Sequence, residues 1–271
     1  MAFKIIVCAK QVPDTNVIKI NPKTGTLIRD GVPSILNHDD NNALEEALKI
    51  KDKYKDVTVT VISMGPPQAT DLLFECIAKG ADEGILVSDR AVGGSDTWAT
   101  SNTLEAAIKK WEKENGPADL IFAGRQAIDG DTAQVGPQIA EKLHLPQVSY
   151  VEEVVEAAAD HVVVKRQFED GYHIIKIKTP CLLTAIAELA TPRYMSVRGI
   201  VEAYEKEIKV LGFEDLKDGL ELDMIGLKGS PTNVYQSFTK EVKGAGTILE
   251  GLSADEAVKA IMDKLEAKFI I

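Results

Sequence analysis

The sequence predicts an α/β protein: a doubly wound, mostly parallel sheet with helices on both faces, followed by an extended C-terminal arm that ends in a helix. Up to about residue 146, short apolar runs alternate with segments of helical periodicity. Continuous apolar runs are typical of strands that are covered on both faces. Four strand–helix units in a row therefore predict a parallel sheet. The alternation stops near residue 146, and from Thr191 the pattern becomes irregular. We therefore divide the chain into residues 1–190 and residues 191–271.

The first half supplies strands and helices in turn. Its predicted strands are residues 5–9, 57–64, 84–88 and 119–124, and a hairpin is predicted over residues 17–29 around an Asn-Pro-Lys-Thr-Gly turn. Apolar residues spaced three or four apart predict the helices. The first helix begins near Asp40, and the second contains Leu72 and Ile77 and ends at a C-cap at Gly80. The third spans residues 97–114, and the fourth spans about residues 133–144.

The second half changes character. Strands are predicted over residues 148–155, 162–168 and 172–177, with Asp170-Gly171 as a hairpin turn, and residues 180–189 form a further apolar segment. From Thr191 to about Glu250 the pattern is irregular. Ser253 and Glu256 then form a capping box for a last helix, with an apolar face of Val258, Ile261, Met262 and Leu265. Such an arm docks on another surface or folds back on its own domain, and the pattern alone leaves both readings open.

Composition excludes several classes of function. The chain has 271 residues and a formal net charge of -11, so an acidic surface disfavours nucleic acid as a partner. No apolar run reaches the roughly 18 residues of a membrane span, so no membrane insertion is expected. Three scattered cysteines predict neither a disulfide framework nor a zinc site and indicate a cytoplasmic protein. The histidines lack metal-ligand spacing and no nucleophile motif is present, so we assign no metal ligand and no catalytic residue.

The richest polar segment is residues 124–136, Gly-Arg-Gln-Ala-Ile-Asp-Gly-Asp-Thr-Ala-Gln-Val-Gly. It follows an apolar strand and opens a helix, so Asp131 or Thr132 is a candidate N-cap. Free amides at a helix N-terminus bind anions, the three glycines allow close backbone approach, and Arg125 can pair with phosphate. The alternative is a capped loop whose aspartates only close turns. The segment matches neither the GxGxxG motif nor the P-loop motif.

Two further polar loops stand between a strand and a helix. In residues 93–100, Ser95, Asp96 and Thr97 can cap the helix, while the hydroxyls of Thr97 and Thr100 can meet a ribose or a phosphate. Asn37-His38-Asp39-Asp40 has the same two interpretations. Since the carboxyl ends of parallel strands share one edge of the sheet, the three loops are expected to converge on one ligand.

Three motifs together resemble the electron transfer flavoprotein β subunit. They are residues 8–14 (Cys-Ala-Lys-Gln-Val-Pro-Asp), the 124–136 segment, and residues 166–171 (Arg-Gln-Phe-Glu-Asp-Gly) running on to residues 180–184 (Pro-Cys-Leu-Leu-Thr). The motifs occur in order, and the resemblance covers essentially the whole chain. It implies a heterodimer with a larger α subunit that carries its own FAD.

The resemblance also implies a buried adenine nucleotide in residues 1–190, and a docking loop and arm in residues 191–271 that pack on the α subunit. The nucleotide is AMP in the ordinary branch of the family and a second FAD in the electron-bifurcating branch. With Asp96, Thr97 and Thr100 of the 93–100 loop added, the expected binding residues are Ala9, Asn37, His38, Asp39, Asp40, Met64, Asp96, Thr97, Thr100, Gly124, Arg125, Gln126, Ala127, Ile128, Asp129, Gly130, Asp131, Thr132, Ala133, Gln134 and Val135.

Two segments favour the bifurcating branch. Residues 96–100 (Asp-Thr-Trp-Ala-Thr) and 192–196 (Pro-Arg-Tyr-Met-Ser) are similar to its forms of these loops. Ordinary members dock acyl-CoA dehydrogenases with a leucine followed by lysines, whereas here Val197 stands near the leucine position and three glutamates, at 202, 205 and 207, interrupt the lysines.

The bifurcating branch implies oxidation of NADH, an activity expected only of the complex with the α subunit and a dehydrogenase. One electron goes to ferredoxin or flavodoxin, and the other goes through the FAD of the α subunit to an acyl-CoA dehydrogenase. The alternatives are a plain electron carrier with structural AMP, a nucleotide-binding regulatory module without redox function, and a self-sufficient flavoenzyme.

Overall fold

The computed structural model describes residues 3–14, 33–235 and 244–271, so the hairpin predicted over residues 17–29 lies outside the described residues. The strands in these ranges are β1 (Phe3–Cys8), β2 (Gln11–Pro13), β3 (Ser34–Leu36), β4 (Val57–Met64), β5 (Glu83–Val87), β6 (Leu120–Gly124), β7 (Gln147–Ala157), β8 (His161–Phe168), β9 (Gly171–Lys178), β10 (Cys181–Ala185) and β11 (Lys209–Leu211).

One large sheet organises the described part of the chain, with its nine strands in the order β11-β5-β4-β1-β6-β10-β7-β8-β9. From β11 to β7 all neighbours are parallel, and β8 and β9 then add an antiparallel hairpin. β2 and β3 pair separately. The predicted mostly parallel sheet is confirmed.

Helices cover both faces of the sheet, as the doubly wound prediction requires. The helices are α1 (His38–Lys53), α2 (Thr70–Lys79), α3 (Thr97–Asn115), α4 (Val135–Lys142), α5 (Val197–Tyr204), α6 (Phe213–Leu216), α7 (Gly226–Gly229) and α8 (Ala254–Glu266). Side chains of β1 alternate between the faces: Ile5 and Val7 pack with the residues of α1 and α2, whereas Ile6 and Cys8 pack with those of α3 and α4. No described helix is long and apolar enough to span a bilayer.

The start of α4 differs from the prediction. The helix begins at Val135 and not near Ala133, and neither Asp131 nor Thr132 is its N-cap, because Gln134 holds that position. The physical reason is the backbone: Asp131 and Ala133 both have φ of 53°, in the left-handed region that a right-handed helix excludes. The loop therefore makes an extra turn before the helix begins.

The segment after residue 191 is more regular than predicted. It forms α5, α6 and α7, and β11 adds to the edge of the sheet in parallel with β5. Periodicity missed these elements because they are short and charged residues separate their few apolar positions. The capping box of Ser253 and Glu256 and the helix α8 behind it are confirmed. The division of the chain at residue 190 stays a prediction.

Candidate functional site at the edge of the sheet

The strand order places a switch point between β1 and β6. From β1 the chain winds outward through β4 to β5, then returns to the other side of β1 with β6 and β10. Open α/β sheets bind ligands at the carboxyl ends of strands where the winding reverses. Here those ends are Cys8 and Gly124. The residues around them, Ala9, Lys10, 37–40 and 124–134, are called the rim below.

Asp40, in the first turn of α1, lies between the two strands. Its Oδ2 accepts from the amide of Lys10 at 2.8 Å, and its Oδ1 accepts from the amide of Gly124 at 2.8 Å. Burial raises the pKa of Asp40 to about 7, against the lowering effect of these hydrogen bonds. A Cβ on Gly124 would lie 2.3 Å from Asp40 Oδ1, so the close approach expected at this glycine is to α1. By contrast, a Cβ on Gly130 would meet nothing within 4 Å.

Asn37 connects α1 to residues 124–134 of the rim, which are called the long loop below. The side chain is fully buried; its Nδ2 donates to the carbonyl of Gln126 at 2.8 Å and its Oδ1 accepts from the amide of Ile128 at 3.1 Å. Asn37 stands at the N-cap position of α1 without a side-chain cap bond. The polar cluster that begins at Asn37 therefore organises a neighbouring loop instead of capping its own helix.

Asp39, which is buried, and Arg125, which is partly exposed, form an ion pair with unused hydrogen-bonding capacity. Asp39 Oδ2 lies 3.3 Å from Arg125 Nε, yet both atoms are buried and neither has an aligned hydrogen-bond partner among the described residues. Burial raises the pKa of Asp39, and the nearby Arg125 guanidinium opposes that rise. Because buried polar groups are nearly always hydrogen-bonded, this acceptor and this donor suit a polar ligand.

The aspartates of the long loop already have protein partners. Asp129 Oδ1 lies 2.6 Å from the ammonium of Lys10, and Asp131 accepts from the side-chain amide of Gln126. The amides of Gly130 and Asp131 close a turn on the carbonyl of Ala127 at 3.2 and 2.8 Å. The carboxylates of Asp129 and Asp131 are thus paired with cationic or amide groups of the same rim.

The first turn of α4 follows this loop and has no side-chain cap from Gln134. The first amides of a helix lack partners inside the helix and carry partial positive charge. A helix start of this kind is suited to a phosphate group.

In the predicted loop of residues 93–100, Asp96 and Thr97 have different roles. Asp96 caps α3 by accepting from the amide of Ala99 at 3.0 Å, and its other oxygen accepts from the amide and hydroxyl of Thr232 at 2.9 and 2.7 Å. The capping interpretation therefore describes Asp96. Thr97, in contrast, donates its hydroxyl hydrogen to Gln134 Oε1 at 3.0 Å and so joins the end of the long loop.

The comparison with known proteins identifies the family. A model of the electron transfer flavoprotein domain matches residues 24–216, more than half of the chain. The chain belongs to the electron transfer flavoprotein family. Within this family it takes the place of the β subunit, so its general role is electron transfer, and the family is associated with flavin.

Similarity to individual relatives extends over the full length. The chain is 55% identical over 269 residues to the caffeyl-CoA reductase-Etf complex subunit CarD of Acetobacterium woodii, and 54% identical over 269 residues to the electron transfer flavoprotein subunit beta of Clostridium acetobutylicum. It is 53% identical over 273 residues to the acryloyl-CoA reductase electron transfer subunit gamma of Anaerotignum propionicum. Each match covers 99% of this chain and 100% of the relative.

In this member of the electron transfer flavoprotein family, most of the expected binding residues meet at the rim. Ala9 is buried directly after β1, and Met64 ends the adjacent strand β4 half-buried. His38 is exposed at the start of α1. Thr100 is half-buried in α3, where its amide donates to the carbonyl of Asp96 at 2.9 Å. Their contact with a ligand stays a prediction.

Sequence reasoning missed two residues of this region. Lys10 supplies both an amide for Asp40 and an ammonium for Asp129, and its position directly after a buried strand was the available signal. Tyr150 lies with its ring centroid 5.9 Å from the Arg125 guanidinium carbon. Its φ of 59° marks a local irregularity of β7, where its amide donates to the Thr184 hydroxyl, and no sequence pattern signals that.

Proposed function

We propose that the chain is the β subunit of a heterodimeric electron transfer flavoprotein that binds FAD at the rim and takes part in electron bifurcation. The observation that carries the nucleotide site is the buried pair of Asp39 Oδ2 and Arg125 Nε, each without a hydrogen-bond partner among the described residues. An acceptor and a cationic donor side by side suit a ribose hydroxyl and a phosphate oxygen.

Two further features support the fit of an adenine dinucleotide. The start of α4, which Gln134 leaves without a side-chain cap, would hold a phosphate through main-chain amides. Asp129 and Asp131 are paired with Lys10 and Gln126, which limits their repulsion of a phosphate. The proposed contacts are the expected binding residues given above, with Asp96 assigned to capping and Asp40 to the role argued in the next section.

Arg125, Asp39 and the first amides of α4 would hold the FAD, which would supply the chemistry of hydride acceptance and one-electron transfer. NADH would be the donor, and the acceptors would be ferredoxin or flavodoxin and, through the FAD of the α subunit, an acyl-CoA dehydrogenase. The protein residues bind and orient the cofactor and tune its electronics. Asn37 fixes the long loop, and the buried face behind it keeps water from the strand ends.

The relatives support an acyl-CoA reductase as the partner. One is named as a subunit of a caffeyl-CoA reductase-Etf complex and another as an electron transfer subunit of acryloyl-CoA reductase. Identities of 55% and 53% over whole chains make a similar partner the natural choice for this one. A cytoplasmic location fits three free, buried cysteines.

The arm supports an α subunit as the second partner. None of the residues of α8 is buried, and its apolar residues Val258, Ile261 and Met262 are each about half exposed. Tyr235 and Ile248, also in the arm, are almost fully exposed. A helix with one apolar face is stabilised mainly by packing that face, so we assign α8 and the exposed apolar residues of the arm before it to contacts with the α subunit.

Cofactor analysis of the co-purified heterodimer tests the proposal. Nucleotides released by acid are separated and counted, and the absorption spectrum is followed during anaerobic addition of NADH. The expected result is two FAD and no AMP per heterodimer, with bleaching of flavin absorbance by NADH. One FAD with one AMP would overturn the bifurcation proposal and indicate a plain electron carrier. A complex whose β subunit holds neither nucleotide would overturn the assignment of the rim.

A further inference from the structure

Strands β1 and β6 stop pairing just before the rim. Their parallel register runs from Ile5 and Leu120 to Cys8 and Ala123. Beyond that point the amide of Gly124 and the amide of Lys10 both donate to the carboxylate of Asp40. A side chain from α1 therefore takes over where hydrogen bonding between the strands ends.

This carboxylate acts as a spacer that the local sequence is shaped to accept. Gly124 is required because a Cβ would lie 2.3 Å from Asp40 Oδ1 and 2.8 Å from the Asp40 amide nitrogen. Two amides donate to the two oxygens of this one carboxylate, and the ionised form, which only accepts, suits them better than the protonated form, in which one oxygen carries a donor hydrogen. The Asp40 carboxylate thereby fixes the distance between the amides of Lys10 and Gly124.

The same constraint reaches the long loop. Asn37, just before Asp40 at the N-cap position of the same helix, bonds to the carbonyl of Gln126 and the amide of Ile128. Asp40 and Asn37 thus form one buried unit that holds the ends of β1 and β6 and the first turn of the loop. The two carboxylate oxygens that make this unit are turned into the protein and are both occupied by amides.

We propose that Asp40 is a positioning residue of the nucleotide site: it sets the separation of the two strand ends and the course of the 124–134 loop without itself touching the nucleotide. The proposal rests on the proposed function, since it assigns how that rim is held in a binding geometry. It gives Asp40 a different role from Asp39, whose Oδ2 lies 3.3 Å from Arg125 Nε and accepts no hydrogen bond among the described residues.

The test compares Asp40→Asn with a matched change at the opposite edge of the same two strands. Asp119, directly before β6, accepts from the amide of Lys4 in β1 at 2.7 Å. Asp40→Asn keeps the shape but turns an NH2 group toward an amide donor, because both oxygens of Asp40 accept amides. Asp119→Asn removes the same charge from a carboxylate that joins the same two strands far from the rim. Dissociation constants for FAD and for AMP are measured on the nucleotide-depleted heterodimer, together with urea midpoints.

Asp40→Asn is expected to weaken nucleotide binding by about tenfold, because nucleotide binding must then restore the strand ends and the loop to their binding positions. Asp119→Asn is expected to lower the urea midpoint while leaving nucleotide affinity at the wild-type value. Equal affinity of wild type and Asp40→Asn overturns the positioning role, as does an equal loss in both variants. Failure of the wild type to bind FAD or AMP instead overturns the proposed function.

Gly124→Ala is expected to weaken nucleotide binding as well, because its methyl group would displace the Asp40 carboxylate and the adjacent backbone of α1 while leaving Asp40 itself unchanged. A pH series on the wild type needs no variant. The titratable groups near Asp40 are Asp39 on α1, Cys8 on β1 and Cys76 on α2. Burial raises the pKa of Cys8 to about 12 and also raises the pKa of Cys76, so neither thiol titrates near neutrality. Lys10 contributes its ammonium, paired with Asp129.

Nucleotide affinity of the wild type is expected to fall as the pH drops from 8 to 6, because a proton on Asp40 removes one acceptor. The affinity of Asp40→Asn is expected to vary less over this range. An affinity of the wild type that does not change between pH 6 and 8 overturns the role given to the ionised carboxylate.

Discussion

Arg193 and Glu45 form a forked ion pair across 148 residues of the chain. The guanidinium Nε donates to Glu45 Oε2 at 2.9 Å, Nη2 donates to Oε1 at 3.0 Å, and the Arg193 amide donates to Oε2 at 2.9 Å. Glu45 is buried on α1, one turn beyond the rim residues. The start of the predicted docking loop is therefore fixed to the helix that organises the rim.

Replacing Arg193 by Ala is expected to lower the free energy of unfolding by about 2 kcal/mol, because Glu45 would be left buried without its partner. Urea denaturation followed by circular dichroism gives the change. Arg198→Ala is the matched control: its pair with Glu202 is exposed and is expected to contribute less than about 0.5 kcal/mol. Equal effects of the two variants would contradict the importance of the buried carboxylate.

The raised pKa of Asp40 predicts a stability that depends on pH. In the unfolded chain an aspartate titrates near 3.9, whereas burial raises the pKa of folded Asp40 to about 7. Between these values the folded state binds the extra proton, so the contribution of Asp40 to the free energy of unfolding is fully present below pH 4 and is lost as the pH rises to 7.

The measurement is a series of urea midpoints at several pH values between 4 and 8 for the nucleotide-depleted wild type and for Asp40→Asn. The wild type should lose more stability than the variant as the pH rises, since asparagine does not titrate. Identical pH dependence in both proteins would show that Asp40 does not titrate in this range.

Arg125→Ala is expected to weaken FAD binding by about tenfold, because it removes the donor at the rim and leaves Asp39 as an uncompensated buried carboxylate. Isothermal titration of the nucleotide-depleted heterodimer measures the change. Arg90→Ala, an exposed arginine after β5, serves as the control. If both variants bind FAD as the wild type does, Arg125 is not a ligand contact.

Gly199→Ala is expected to lower the free energy of unfolding by about 1–3 kcal/mol, as overpacking of a tight contact does. A Cβ at this position of α5 would lie 2.3 Å from the carbonyl oxygen of Ala78 at the end of α2, so α5 must shift. Gly219→Ala provides the control, since a Cβ there meets nothing within 4 Å. A thermal melt that ranks Gly219→Ala as the more harmful change would contradict this packing.

The sequence predicted the sheet and the convergence of the polar loops because both depend on strong local patterns. Continuous apolar strands such as β1 and β6 are buried on both faces, and polar loops that follow them must meet at one edge. The order of the strands then puts residues 37–40 beside residues 124–128, as expected for converging loops.

The details of the rim were beyond local patterns. Asp40 has partners 30 and 84 residues away, so its role as a spacer depends on contacts that no window of sequence contains. Asp131 is a good N-cap residue by type, but its left-handed backbone excludes it from the helix start. Strand β11 has three residues, too few for an alternating pattern, and tertiary pairing with β5 determines it.

The addition of β11 to β5 has a consequence for biosynthesis. Lys209 pairs with Ile85, so one side of the sheet is sealed by a segment made more than a hundred residues after the strand it covers. Until the ribosome has released that segment, β5 presents its unpaired backbone groups to any neighbouring chain, which is the usual starting point for intermolecular strand pairing. A nascent or truncated chain that lacks residues beyond 208 would therefore expose β5 as an edge strand open to pairing with another chain.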